Sequence, residues 1–273
     1  MIRSVTHSAH LAEAIDRARR GAQGVTTNWF ATPAQAECWI ERGTLYYAEA
    51  TRALLLFRRD RNFYHVHHVA AGQEALSGAL AEFTGQPDLF TADLVGYPEE
   101  VSALATLYQA HGFSRHCSLM RMARFAQASP ADDFQEPEVA FAEPSDIPGV
   151  CAFLDRLLDP FRDNIPEPDE LASAAARHNI LIVKRGAEPG GLLSFETTGF
   201  TSILRYWYVA DDCRDQGIGA RLIRTFFQLC AASKRIILWV DPDNFSAITK
   251  YEHYGFRREN LVDRIMIKGI PKA

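Results

Sequence analysis

A short run of residues has the composition of a phosphate-binding loop. It reads Arg214-Asp215-Gln216-Gly217-Ile218-Gly219-Ala220, after an apolar stretch and at the start of an amphipathic helical pattern. Backbone N–H groups at a helix start attract anions, and glycines let the backbone approach a phosphate closely. The run lacks the third glycine of a dinucleotide fingerprint and the Gly-Lys-Ser/Thr of a P-loop. Taken alone, it indicates either an anion site or an ordinary helix start.

A second pattern places an amide and a phenol on one predicted helix. Asn244, Ala247, Tyr251 and Gly255 follow one another about 25 residues after the loop. Asn244 and Tyr251 are seven residues apart, close to two helical turns, and therefore face the same side. Such a helix could bind a ligand with one side chain and exchange a proton with the other, or could simply bury its tyrosine in a core.

In order and spacing, the two motifs together resemble the acetyl-CoA-binding signatures of the GNAT N-acetyltransferase superfamily. The resemblance covers residues 138–273. It implies a cosubstrate, acetyl-CoA, and no metal. It also implies acetyl transfer to a primary amine of a small molecule, or to the N-terminus or a lysine of a protein. An acyl-CoA-binding sensor or scaffold without turnover is the alternative function.

The resemblance also implies roles for individual residues. Pantetheine would pair with the backbone of the strand before the loop, the loop would hold the pyrophosphate, Arg214 would neutralise phosphate charge, and Asn244 would hydrogen-bond the pantetheine arm. The implied cofactor-binding residues are Trp207, Tyr208, Val209, Arg214, Asp215, Gln216, Gly217, Ile218, Gly219, Ala220 and Asn244.

Tyr251 is the predicted catalytic residue, because a phenol near the sulfur could protonate the departing CoA thiolate. A general base is not evident. The candidate bases are Asp241, which ends its strand, and the phenol of Tyr206. A third candidate, Glu196, is more simply explained as a solvated or ion-paired strand residue.

The elements around these motifs are predicted from periodicity and turn residues. In the C-terminal half they are helices ending near Leu158 and Arg177, strands Ile180–Lys184, Leu192–Thr197 and Ser202–Val209, a helix Gly219–Ala232, a strand Arg235–Val240, a helix Asn244–Tyr254 and a strand Phe256–Lys268. The run Glu188-Pro189-Gly190-Gly191 is predicted to be a turn between two of these strands. The strand–helix–strand step from Ser202 to Val240 should be a parallel crossover.

The N-terminal half repeats this order of elements. Its predicted strands include Asn62–Val69 and Leu89–Val95, and its last helix is Pro98–Ala110. Tyr108 precedes a glycine by four residues, as Tyr251 does. The sequence therefore predicts an α/β (α+β) protein of two tandem GNAT-like domains, each a mixed, mostly antiparallel sheet flanked by helices. We place the domains at 1–126 and 138–273, with a linker at 127–137.

The N-terminal copy is expected to be degenerate. Where the other half has its glycine loop, this half reads Ala71-Gly72-Gln73-Glu74, and Val101 stands where the asparagine would be. His65, His67 and His68 share a strand without further ligands at metal-binding spacing, so they are expected to line a disused cleft.

Composition excludes several classes of protein. A net charge of −5 argues against nucleic-acid binding, and no stretch approaches the roughly 20 apolar residues that a membrane helix needs. Five scattered cysteines, never in a Cys-x-x-Cys pair, favour a reducing cytoplasm. We expect a cytoplasmic protein, either a monomer with an internal pseudo-dimer or a homodimer.

Overall fold

The computed structural model describes residues 2–83, 88–125, 136–186 and 188–269, which form two compact units. The N-terminal unit contains the chain up to Leu119 and from Asn260 onward, and the C-terminal unit contains Met120–Glu259. The predicted linker at 127–137 lies outside the described residues except for its last two positions.

The N-terminal unit is built on a mixed sheet. Its strands are β1 (Arg3–Ser4), β2 (Thr26–Thr27), β3 (Leu45–Ala50), β4 (Ala53–Asp60), β5 (Phe63–Ala70) and β6 (Phe90–Gly96), and its helices are α1 (Ser8–Arg19), α2 (Pro33–Glu41), α3 (Gln73–Glu82) and α4 (Pro98–Ala110). The strand β7 (Ser114–Phe125) leads out of this unit. The helices α1 and α2 cover one face of the sheet, and α3 and α4 cover the other.

The C-terminal unit has the same plan. Its strands are β8 (Ala140–Phe141), β9 (Ile180–Arg185), β10 (Glu188–Thr198), β11 (Thr201–Val209), β12 (Arg235–Val240) and the start of β13 (Arg257–Lys268), and its helices are α5 (Ile147–Leu157), α6 (Pro168–Ala176), α7 (Ile218–Leu229) and α8 (Phe245–His253). The helices α5 and α6 pack on one face of β9, β10 and β11, and α7 and α8 pack on the other face. The prediction of a mixed, mostly antiparallel sheet flanked by helices is confirmed. Among the pairings given by the described residues, β5–β6 and β11–β12 are parallel.

The sheet of each unit includes a strand from the other half of the chain. The residues Met120–Phe125 of β7 pair with β12 in the C-terminal unit, and the residues Val262–Lys268 of β13 pair with β6 in the N-terminal unit. The unit boundaries therefore differ from the predicted 1–126 and 138–273. A repeated order of elements shows where strands lie along the chain, but it does not show which sheet each strand joins.

The predicted turn at Glu188–Gly191 is wrong, because these residues belong to β10. Of the two glycines, Gly191 is the one that packs against the helix α7. A Cβ atom on Gly191 would lie 2.5 Å from Ile218 Cγ2 and 3.1 Å from Leu222 Cδ1. Without a side chain at this position, the start of α7 can lie close against the sheet.

The helices of the described residues are all short. The longest, α4, has 13 residues, and none has the length and apolar character needed to cross a membrane.

Candidate active site

The two central parallel strands of the C-terminal unit separate part-way along their length. The strands β11 and β12 are paired only from Thr201–Arg235 to Ile203–Ile237. Beyond Ile203, no described strand pairs with the edge of β11 that faces β12, while β12 stays paired with β7 along its other edge. Backbone groups at such an unpaired edge are free to hydrogen-bond an extended ligand.

A bulge determines which side chains face each side of this gap. The partner of Ser194 is Tyr206 and that of Phe195 is Leu204, so Arg205 is an extra residue in β11. The extra residue reverses the alternation of side chains along the strand. Tyr206 and Tyr208 therefore face the helices α5 and α6, whereas Trp207 and Val209 face α7.

The glycine loop follows β11 and opens α7, as predicted. Asp215 and Gly217 both have left-handed backbones, with φ of +61° and +73°, and Gly217 is the N-cap of the helix. The first intrahelical bond is donated by the N–H of Arg221, so within the described residues the N–H groups of Ile218, Gly219 and Ala220 donate to no protein acceptor. Three such donors at a helix start fit a pyrophosphate.

Trp207 connects the strand to the loop. Its indole Nε1–H donates to the carbonyl oxygen of Gly219 at 3.1 Å. A Cβ on Gly219 would lie 3.5 Å from the indole ring, an ordinary contact, so the helix start rests directly on this ring. The side chain of Trp207 thus supports the loop, and its backbone lies on the open edge of β11.

Two arginines lie at the loop, and only Arg214 was predicted from the sequence. Arg214 is exposed and pairs with Asp211 at 2.7 Å, so it does not yet point at an anion. Arg221, which was missed, donates to the carbonyl oxygen of Gln216 at 3.0 Å and pairs with Glu138 at 2.8 Å. Its position four residues after Gly217 places it on the first turn above the loop, which was the available signal.

The helix α8 brings the predicted amide and phenol to the other side of the gap. The Asn244 side chain caps α8 by accepting from the N–H of Ala247 at 3.1 Å. The Tyr251 ring packs against Trp207, with 5.7 Å between ring centroids, and burial raises the pKa of its phenol. The Tyr251 hydroxyl has no hydrogen-bond partner in the part of the chain that the structure describes, so the proton is available for donation.

Each of the three candidate bases has a hydrogen-bond partner in the protein. Arg205 donates to both carboxylate oxygens of Glu196, at 3.0 and 3.3 Å. Asp241 accepts from the N–H of Asp243 at 2.9 Å. The Tyr206 hydroxyl donates to the carbonyl oxygens of Asp163 and Asn164, at 2.9 and 3.0 Å, and burial raises its pKa.

The acidic connection between α5 and α6 uses its carboxylates for local structure. Asp163 accepts from Arg162 and from the N–H of Asp159, and Glu170 accepts from the N–H of Glu167 at the start of α6. The described residues contain no cluster of three His, Cys, Asp or Glu side chains able to hold a metal ion.

The equivalent gap in the N-terminal unit is filled by the chain itself. The strands β5 and β6 are paired only at Tyr64–Phe90 and His65–Thr91, and the two-residue strand β2 then pairs with Val69 and Ala70. Beside it, the Asn28 side chain accepts from the N–H of His68 at 2.6 Å and donates to the carbonyl oxygens of Val66 and Asp93, at 3.1 and 2.9 Å. The backbone groups that remain available on β11 are thus occupied on β5.

The tyrosine hydroxyl of the N-terminal unit is also engaged by a protein partner. Tyr108 is fully buried, and its hydroxyl lies 2.9 Å from Nδ1 of His68. His65 bonds Asp60 at 3.1 Å. Neither the sequence motifs nor the repeat predicted that Asn28 closes this gap.

This arrangement lies in a region that matches a known protein family. Residues 150–256, which include the gap, the loop and α8, match the acetyltransferase (GNAT) family. This part of the chain is a GNAT domain. No curated protein sequence matches the chain at a significant level.

Solved structures extend the likeness from the GNAT domain to both halves. A GCN5-related N-acetyltransferase from Sphaerobacter thermophilus is 15% identical over 99% of this chain and 96% of its own, with a TM-score of 0.56. A GNAT-family acetyltransferase from Colwellia psychrerythraea is 10% identical over 99% of this chain and 100% of its own, with a TM-score of 0.55. A tandem GNAT protein from the clavulanic acid biosynthesis pathway is 11% identical over 100% and 99%, with a TM-score of 0.56. These likenesses establish a tandem GNAT fold.

Proposed function

We propose that the C-terminal unit transfers an acetyl group from acetyl-CoA to a primary amine. The observation that carries this proposal is the open edge of β11, which leads directly into the free N–H groups at the start of α7. An extended pantetheine arm ending in a pyrophosphate has the shape and charge for this path. When bound, acetyl-CoA supplies an activated acyl group as a thioester.

The residues of the chain have separate tasks in this proposal. Trp207, Tyr208 and Val209 offer their backbone to pantetheine, Asn244 is placed to bind the same arm, and the N–H groups of Ile218 to Ala220 hold the pyrophosphate. Arg214 and Arg221 are near enough to exchange their protein partners for phosphate oxygens. Arginine suits this exchange, because its five N–H donors serve several acceptors at once.

Tyr251 acts as the general acid. The amine nitrogen bonds to the acetyl carbon as the carbon–sulfur bond breaks, the amine loses its proton to solvent, and the Tyr251 hydroxyl protonates the thiolate. A phenol is already protonated at neutral pH, as donation requires, and burial, which raises the pKa of Tyr251, keeps the proton in place. Among the described residues, Glu196 is paired with Arg205 and Asp241 accepts a backbone N–H, so we assign the amine proton to water.

The N-terminal unit is proposed to be a copy that no longer binds the cofactor, because Asn28 and β2 occupy its gap. We therefore expect one acetyl-CoA per chain in calorimetric titration, and no binding in Gly217→Glu, where a carboxylate would face the pyrophosphate. Two equal sites would contradict this assignment.

The absence of a disulfide among the five cysteines fits the proposed cytoplasmic location.

The test of turnover is the release of free CoA with a panel of amines. Tyr251→Phe keeps the ring and its packing, so the Kd for acetyl-CoA should not change while kcat falls by about 10²–10⁴-fold. Tyr108→Phe is the matched control and should leave kcat unchanged. Cofactor binding without acetyl transfer to any amine would instead support an acyl-CoA sensor, and an undiminished kcat would leave Tyr251 as a packing residue.

A further inference from the structure

On the side away from α7, β12 presents half-buried residues next to the gap between β11 and β12. The apolar cluster under α5 and α6 takes its sheet residues from β9, β10 and β11, and none of its described members comes from β7 or β12. On β12, Ile236, Leu238 and Val240 point into the core under α7. Trp239 and Arg235 alternate with them and therefore lie on the opposite face, where both residues are half-buried.

This opposite face is the side from which we expect an acceptor to reach the gap. The α7 side is filled by Trp207 and Tyr251, which pack into the core. Trp239 is the second residue of β12 after its last pair with β11, so it borders the gap. On β7, Arg121 is paired with Trp239, about 5 Å further across the sheet.

Two guanidinium groups on this face share one carboxylate. Arg121 donates through Nε to Glu259 at 2.6 Å, and Arg235 donates to the other oxygen of the same carboxylate. Their side chains are 19% and 28% exposed, so they are partly withdrawn from water but still accessible. Two positive charges against one negative charge leave this cluster with a net charge of about +1.

The cluster retains unused donors beside an aromatic surface. The guanidinium of Arg121 lies 5.9 Å from the ring centroid of Trp239. Glu259 accepts from Nε of Arg121 and from one terminal nitrogen of Arg235, so each arginine keeps further N–H donors. A planar fork of unused donors is suited to a second carboxylate.

We propose that the acceptor is a small amine that also carries a carboxylate, with Arg121 and Arg235 as the residues that select it. The amine would enter the gap past Trp239, and the carboxylate would bind the two guanidinium groups beside Glu259. The Arg121 guanidinium lies 5.9 Å from the centroid of the Trp239 ring, which borders the gap, so a small acceptor suits this spacing. This inference rests on the proposed acetyl transfer and narrows its acceptor.

The experiment compares amines that differ only by the carboxylate. L-leucine is paired with isoamylamine, and β-alanine is paired with ethylamine, each at subsaturating concentration with saturating acetyl-CoA. The wild-type protein should show a higher kcat/KM for the carboxylated member of each pair. Arg121→Gln should reduce that preference by about 10- to 100-fold, because a charge-assisted hydrogen bond is lost. Comparing the same substrates in both proteins cancels the difference in amine basicity.

Arg124→Gln is the matched control. This arginine lies on the same strand, but its guanidinium lies 4.2 Å from the Phe227 ring on the α7 side. The control should keep the wild-type preference, and all three proteins should bind acetyl-CoA equally, which shows that the fold is intact.

The outcomes separate the two proposals. Equal kcat/KM within each pair, an unchanged preference in Arg121→Gln, or acetylation of protein amines alone would overturn the carboxylate site while leaving acetyl transfer in place. Failure to acetylate any amine, with acetyl-CoA still bound, would overturn the proposed transferase and the carboxylate site with it.

Discussion

Two buried methionines test whether the halves of the chain exchange strands. Met122 precedes the linker, yet it is fully buried in the core of the C-terminal unit. Met266 lies near the end of the chain, yet it is fully buried in the core of the N-terminal unit. Met122→Ala should therefore destabilise the C-terminal unit, and Met266→Ala should destabilise the N-terminal unit.

The expected magnitude follows from burial. Both side chains have 0% exposure, so each truncation removes a complete buried side chain and leaves a cavity. Such changes cost about 2–5 kcal/mol, which in a unit of this size lowers Tm by about 10 °C.

Hydrogen exchange followed by mass spectrometry assigns the loss to a unit. In Met122→Ala, amide protection should fall in β11, β12 and α7 and stay unchanged in β4 and β5. In Met266→Ala, the pattern should reverse. Loss of protection in β4 and β5 for Met122→Ala, or an equal loss in both units for either variant, would refute the exchange of strands.

Three further outcomes follow from the described contacts. Asn28→Ala leaves three buried backbone groups without their partner, so urea unfolding should show a loss of about 3 kcal/mol, and a loss below about 1 kcal/mol would speak against a closed gap. Burial lowers the pKa of His67 and His68 to about 3, below the 6.5 of a free histidine. Below pH 6.5 the unfolded chain therefore binds protons that the folded chain does not. The free energy of unfolding should fall by about 1.4 kcal/mol per pH unit for each histidine as the pH drops from about 6.5. The fall should be smaller in the variant that carries glutamine at both positions. Gly191→Ala forces a methyl group against Ile218 and should cost about 1–3 kcal/mol, so an unchanged Tm would contradict the close packing of α7.

Sequence reasoning worked best where a local pattern determines a local structure. The helix Pro98–Ala110 and the strand Arg235–Val240 were predicted with the bounds that the structure gives them. The order of elements in both halves and the glycine loop at the start of α7 also follow the prediction. In these cases hydrophobic period and helix-start residues lie within one short window of the chain.

The remaining features depend on contacts between residues that are distant in sequence. The strand exchange needs knowledge of pairing partners, and the bulge at Arg205 appears only when β11 is aligned with β10. Asn28 closes its gap by bonding residues 38 and 65 positions away, and no local signal marks it. The glycines in Glu188–Gly191 suggested a turn because the packing partner of Gly191, Ile218, lies in another element. Pairing and close approach are tertiary properties, which a single sequence does not display.

The exchanged strands also set the order in which the protein can be completed during synthesis. The ribosome delivers the chain from its N-terminus, and domains generally begin to fold as they emerge. The C-terminal unit needs only residues 120–259, whereas the N-terminal unit lacks the partner of β6 until the residues after 259 have emerged. The unit whose synthesis starts first is therefore completed second. Until then, its apolar strand β6 has an open edge, which is the period in which a nascent chain of this kind is most exposed to misassociation and to chaperones.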